Sequence, residues 1–267
     1  LRIPYTAIEP EDVAMLAGVL ALSEVQVNAL YFLRRRLGRQ WFQKLLSDEE
    51  ADREELDEYV RDGELIKGTL GAIQRKFELF RRMDFLKEKV SDDVVETIFH
   101  KLNAGTSIVL EFGTFGDSLP AYMFVANYLT RRIHSRYVAA KNKAFGRKGD
   151  NPRPLLIVIE EAHKFLDPEI AQHTIFGAIA RELRKYNVTL LIVDQRPSGI
   201  DDEVMSQIGT RVTCLLDNEA DIRAVFSGVS GAGALREVLA RLDTQQEALI
   251  MGHAVPMPVV IRARDYG

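Results

Sequence analysis

Cysteine is almost absent: Cys214 is the only one in 267 residues, so no disulfide joins two points of this chain. It lies in the apolar run Val212–Leu216 and is expected to be buried as a small hydrophobe, in keeping with a reducing cytoplasm. Long apolar runs are missing too. None approaches the ~18–20 residues of a membrane span, so the expectation is a soluble protein with no membrane partner. Charge is nearly balanced, with 35 Lys and Arg against 39 Asp and Glu and a net charge of -4. That balance excludes a general nucleic-acid coat and leaves room for a local basic channel. Leu1 stands where Met is usual and nothing resembling a signal peptide follows, so the expectation is a chain whose upstream part lies outside this sequence. What is present is core-forming material: 46% hydrophobic residues in 30.2 kDa suit one large α/β domain, or a core with an appended module.

The organising stretch is Leu155-Leu156-Ile157-Val158-Ile159 followed by Glu160-Glu161-Ala162-His163. Five consecutive large aliphatics predict a strand buried on both faces of a parallel sheet. The two acids are then delivered to the carboxyl edge, where open α/β sheets place ligands. In a P-loop NTPase this is the Walker B position, with the first acid near Mg²⁺ through its water shell and the second polarising the attacking water. A solvated acidic turn after a strand is the plainer alternative. A second aliphatic strand, Thr189–Val193, breaks into Asp194-Gln195-Arg196-Pro197-Ser198, with the helix-length segment Pro168 to Tyr186 between the two strands. Strand, helix, strand of this length predicts a right-handed crossover and parallel neighbours. Gln195 then shares the edge of Glu161, and a neutral amide there can sense a γ-phosphate without charge repulsion.

These segments, LLIVIEEAHKFL at 155–166, ARELRKYN at 180–187 and TLLIVDQRPS at 189–198, resemble the HerA-type branch of the HerA/FtsK superfamily of hexameric DNA-translocating ATPases. The resemblance spans roughly residues 100–264, and three ordered motifs are more specific than any one. Leu183 departs from the Gly that usually precedes Arg-Lys, and no Gly-x-x-x-x-Gly-Lys-[Ser/Thr] occurs anywhere in the sequence. The resemblance implies a RecA-like P-loop NTPase core with a largely parallel sheet and an α-helical insertion near the N-terminus. It also implies ATP and Mg²⁺ as ligands and a ring, hexameric in the family, that moves double-stranded DNA. A nuclease or effector partner, in DNA repair or in antiviral defence, is implied in the same way. The roles that follow are Glu160 for Mg²⁺, Glu161 for the lytic water and Gln195 for the γ-phosphate. Arg184 is the candidate arginine finger acting in trans, with Arg181 on the same face as the next candidate; the competing account is a surface cation at a helix end. His163 either orients Glu161 or is a satisfied structural histidine.

The remaining chain divides, as an expectation, into 1–102 and 103–267. Pro4 and Pro10 make the entry extended. Ser23 caps a helix reaching Leu37, and the cations Arg34–Arg36 at its end suit the helix dipole or DNA. Residues 48–62 form an acidic helix and Glu64 to Lys89 a basic one, expected to pair with each other or with a neighbouring subunit. A further helix over Asp92–Leu102 is expected to be capped by Ser91. Ser107–Phe112 predicts a strand in which Glu111 is either structural or functional, and a long helix follows from Asp117, with Tyr122, Val125, Leu129, Ile133 and Tyr137 inward. Lys141–Arg153 predicts an exposed loop whose Lys141, Lys143, Arg147 and Lys148 suit phosphate-backbone contacts, or simply a solvated linker. Strands are expected at Val212–Leu216, Glu247–Gly252 and Met257–Arg264, and Gly228–Gly233 is read as a loop and helix start. Two other functions fit the same residues. One is a non-catalytic ring scaffold, and the other is a nucleotide-gated protein-assembly switch.

Overall fold

The structure is a computed structural model describing residues 1–111, 118–146, 149–171, 174–182, 186–229 and 231–265, with the backbone alone at 181 and 182. The chain forms two compact units, Leu1–Arg153 and Pro154–Gly267.

The first unit contains strand β1 (Ile3–Pro4), helices α1 (Pro10–Ala14), α2 (Glu24–Leu37), α3 (Trp41–Leu46), α4 (Glu50–Arg61) and α5 (Lys67–Arg81), strand β2 (Leu86–Lys87), and helices α6 (Val94–Asn103) and α7 (Leu119–Phe145). Its start signals work as the sequence suggests. Ser23 Oγ accepts from the Gln26 N–H at 3.3 Å while Gln26 Oε1 accepts from the Ser23 N–H at 3.1 Å, a reciprocal cap on α2. Asp93, not Ser91, caps α6, because its carboxylate reaches the N–H groups of both Val95 and Glu96. The core is aromatic. Trp41, Phe42, Phe77, Phe80 and Phe124 form successive ring contacts at 5.1–6.4 Å between centroids, and Trp41 Nε1 donates to the Ile8 carbonyl at 2.9 Å. Each such buried ring contributes about 1.5–3 kcal/mol.

Charge closes the periphery of this unit. Acidic α4 is tied back by Lys44 of α3 to Asp52 and Glu55, while Arg81 of α5 meets Asp48, just before α4, at 2.7 Å; the acidic stretch is linked to the basic helix through that residue, and the acids of α4 itself pair with α3. Asp12 of α1 is fully buried and takes Arg131 at 2.8 Å and Arg132 at 3.1 Å from α7. Two expectations change here. Residues 107–111 form no strand, and Val109 is 91% exposed, because no described segment offers them a ladder partner. The helix α7 runs on through Phe145, so residues 141–145 are helical rather than part of a loop; Ala139, Ala140, Lys141, Lys143 and Ala144 are good helix formers and Gly146 ends the run.

The second unit contains β3 (Leu155–Glu160), α8 (His163–Leu166), α9 (Ile175–Glu182), β4 (Val188–Val193), α10 (Asp202–Gln207), β5 (Thr210–Thr213), α11 (Glu219–Val225), α12 (Ala232–Leu239), β6 (Glu247–Gly252) and β7 (Val259–Arg262). β3 and β4 pair in parallel from Leu155↔Val188 to Glu160↔Val193, as the crossover argument requires. Phe165, Leu166, Phe176, Ile179 and Ala180 of α8 and α9 are buried, with Phe165 and Phe176 rings 4.8 Å apart, and α9 packs on β4. The expectation of burial on both faces fails for β3: Leu155 and Ile159 are buried, whereas Leu156 and Val158 are 55% and 53% exposed. Alternation of this kind marks a sheet covered on one side.

Parallel pairing holds for β1 with β2 and for β3 with β4, but not for the rest of the described strands. β5, β6 and β7 form a separate antiparallel sheet, over a core of Val225, Phe226, Leu239, Leu242, Leu249 and Met251. Cys214 is exposed, contrary to expectation; Thr213 takes the buried side of the pleat at the end of edge strand β5, so the next side chain faces out. At Gly252 (φ +101°) an added Cβ would lie 2.1 Å from the Gly209 carbonyl oxygen, so this turn position admits only glycine.

Candidate active site

Parallel register decides which polar residues meet. With Glu160 opposite Val193, the strands β3 and β4 end level, so Glu160-Glu161 and Asp194-Gln195 emerge together at one carboxyl edge. Glu160 is exposed, Glu161 half-exposed and Gln195 exposed. Glu161 has φ +52°, a left-handed conformation that costs an L-residue roughly 1–2 kcal/mol. Non-glycine residues held there are a recognised form of strain at functional sites.

Asp194, absent from the sequence-based candidates, organises this edge. Its carboxylate accepts the His163 backbone N–H at 2.7 Å, the Arg196 backbone N–H at 2.6 Å, and a bond from the His163 ring, with Nδ1 at 2.9 Å from one oxygen and 3.2 Å from the other. Burial pushes the Asp194 carboxyl up, but the backbone N–H groups of His163 and Arg196 and the His163 side chain outweigh it and hold it below the usual carboxylate value. His163 Nε2 points the other way, 3.9 Å from Glu161 Oε2. The signal that could have identified Asp194 is its register: a parallel partner of β3 ending at Val193 must place residue 194 beside the start of α8.

The other candidates are less gathered. The backbone of Arg181 lies in the last turn of α9; its side chain and the whole of Arg184 fall outside the described residues, as do Arg147 and Lys148. Lys141 and Lys143 are both on α7, two residues apart, which turns them to different sides of the helix. Lys141 lies 5.4 Å from the Phe145 ring centroid and donates to Asn151 Oδ1 at 2.9 Å, while Lys143 is exposed. Glu111 is exposed and in no strand.

Among the described residues no group of three or more His, Cys, Asp or Glu side chains could hold a metal by itself. The exposed Glu160 does fit Mg²⁺ held by one carboxylate together with water and phosphate oxygens, which is that ion's usual arrangement beside a nucleotide. A cleft of about 660 Å³ in the first unit is lined by Asp48, Glu49, Asp52 and Glu88 around Arg81. Four carboxylates against one guanidinium repel a polyphosphate, so the strand edge is the better nucleotide candidate. No described helix is long and apolar enough to cross a membrane.

Residues 1–133 match the family model described as the central domain of helicase HerA. That model matches a different stretch from the 100–264 span on which the motif resemblance rests. The DNA double-strand break repair helicase HerA of Sulfolobus acidocaldarius is 32% identical over 196 residues, which cover 71% of this chain and 38% of that protein. The protein of the same name from Saccharolobus solfataricus is 33% identical over 195 residues, or 71% of this chain and 37% of its own length. This chain therefore spans a little over a third of those relatives. Among solved structures, VirB4 of Thermoanaerobacter pseudethanolicus aligns over 99% of this chain and 74% of its own, with a TM-score of 0.57 and 14% identity, a likeness of α/β fold alone. The HerA model over the first 133 residues, and 32–33% identity with two HerA helicases over 71% of the chain, show that this chain belongs to the HerA family.

Proposed function

We propose that the protein is an ATP-driven double-stranded DNA translocase or helicase of HerA type, hydrolysing ATP at subunit interfaces of a homo-oligomeric ring, a hexamer by the resemblance. The observation that carries this reading is the meeting of Glu160, Glu161 and Gln195 at the carboxyl edge of one parallel strand pair. The relatives' names, which describe double-strand break repair helicases, support DNA as the substrate.

In this reading Glu161 accepts a proton from water as the water oxygen attacks the γ-phosphorus and the bond to the β–γ bridging oxygen breaks. Gln195 hydrogen-bonds a γ-phosphate oxygen or the water without adding charge. Glu160 anchors Mg²⁺, which when bound offsets negative charge on the phosphates. Arg184 reaches a neighbour's nucleotide in trans, with Arg181 as the alternative. Lys141, Lys143, Arg147 and Lys148 supply sequence-independent phosphate contacts. The division expected from the motifs, a helical insertion over 1–102 and an ATPase core over 103–267, differs from the compact units, which divide after Arg153, and from the HerA central-domain match over 1–133; a nuclease or effector is the expected partner.

The test is Glu161→Gln in the full-length protein. Binding of ATP and DNA should persist while DNA-stimulated hydrolysis falls by about 10²–10⁴-fold, the range for losing a general base. Hydrolysis near the wild-type rate would remove Glu161 from this role.

A further inference from the structure

His163 and Asp194 are more connected than a helix start requires. Capping α8 needs only the bond from the His163 backbone N–H to Asp194, at 2.7 Å. The imidazole adds its own bond, and the Arg196 N–H fixes the same carboxylate from the far side at 2.6 Å. An ionised carboxylate only accepts, so the ring nitrogen facing it must carry hydrogen, and Nδ1 is thereby assigned as the donor. Among the described residues Nε2 has no direct hydrogen-bond partner; it faces Glu161 Oε2 across 3.9 Å, and since a ring nitrogen without hydrogen and a carboxylate both accept, the link between them is one water that donates to each. Gly199 leaves no room for a larger residue beside His163, since an added Cβ would sit 3.3 Å from His163 Cβ.

We propose that Asp194 and His163 are positioning residues that act as one unit across the β3–β4 edge, Asp194 orienting the imidazole and the imidazole Nε2 holding the Glu161 carboxylate where it meets water. The pair links the strand that carries the base to the strand that carries Gln195. The proposal rests on the reading of Glu161 as base.

Full-length variants and one nucleotide-free measurement test it. Nitrogen NMR of the unliganded protein should show His163 with hydrogen on Nδ1, a preference that Asp194→Asn removes. His163→Ala and Asp194→Asn should each lower kcat about 10–100-fold with KM for ATP within about threefold, as expected when a reacting group is displaced rather than deleted. The double variant should be no slower than the slower single. His163→Gln, whose amide reaches the Nε2 position, should recover part of the rate, and His163→Asn, which reproduces only the Nδ1 contact, should not. The His163 variants keep the backbone bonds to Asp194, so they remain informative if Asp194→Asn folds poorly. Equal recovery by Asn and Gln, an Nδ1 without hydrogen in the wild type, or wild-type rates for both His163→Ala and Asp194→Asn would overturn the proposal. If those two are fast while Glu161→Gln is slow, only the positioning pair falls; if Glu161→Gln is fast, the base assignment falls first.

Discussion

Asp12 in the first unit and Glu161 in the second use a carboxylate in opposite ways. Asp12 is fully buried and closed on itself: Arg131 and Arg132 meet its two oxygens, and the Glu9 N–H donates to it at 2.9 Å. Glu161 is half-exposed, sits on strained backbone, and faces His163 Nε2 at 3.9 Å. A satisfied buried charge can do no chemistry and fixes one helix against another. An exposed charge on an over-determined backbone contributes little to stability and keeps its lone pairs available for a proton. If this contrast holds, substitutions at the two carboxylates should separate stability from turnover.

The largest effect on stability belongs to Asp12→Ala. Removing the buried member of this ionic cluster leaves Arg132 without its acid and Arg131 with only Glu11 at 3.6 Å, a loss of about 3 kcal/mol. Trp41 is the only tryptophan of the sequence and is fully buried in the first unit, so its fluorescence in denaturant reports that unit in the chain 1–267. A loss below about 1 kcal/mol would show that Arg131 and Arg132 are served by water, and the contrast would lapse on its stability side.

A smaller effect concerns acid. The Asp194 carboxyl lies below its ordinary value in the folded chain, so its contribution is fully present above the unfolded value, near pH 4, and is lost as pH falls through the folded value. The His163 and Arg196 amides, which donate to it, should lose hydrogen-exchange protection in that acid range while the aromatic core of the first unit keeps its own. In Asp194→Asn this pH dependence should vanish. Protection of both amides unchanged down to the acid limit of the wild-type fold would mean that Asp194 does not hold this edge.

The two units also differ in how far residue patterns reveal them. Local signals carried over well: the Ser23 cap, the inward Val125, Leu129 and Tyr137 of α7, and the aliphatic runs that became β3, β4 and β6. The edge that gathers Glu160, Glu161 and Gln195 was legible too, because strand, helix, strand of that length allows one hand and one direction. What was not legible depends on a neighbour. Residues 107–111 carry the aliphatic run Ile108-Val109-Leu110 yet form no strand, since ladder bonds belong to a pair and not to a segment. Cys214 faces out because Thr213 before it takes the covered face of the pleat, a parity that the apolar run Val212–Leu216 does not reveal. Asp194 looked like an ordinary residue after a strand until register set it beside His163. Arg181 and Arg184 stay proposals, because the interface they would serve is not within one chain.

The smallest stability change is expected at Glu161→Gly, and it is the sharpest test of the contrast. Glycine relieves the left-handed penalty of about 1–2 kcal/mol but loses about 0.5–1 kcal/mol more conformational entropy on folding, so the net change should lie between zero and a gain of about 1.5 kcal/mol. Hydrolysis should nevertheless collapse by the same orders of magnitude as in Glu161→Gln, because both variants lack the base. Hydrogen exchange of the β3 and β4 amides gives the stability, and DNA-stimulated turnover of the full-length protein gives the rate. A slow variant with unchanged or improved protection would mean that the strain at residue 161 is retained for what its side chain does. A loss above about 1 kcal/mol would mean that the Glu161 side chain supports the fold, which would place it in the same class as Asp12 and leave the strand edge without a free carboxylate to act as base.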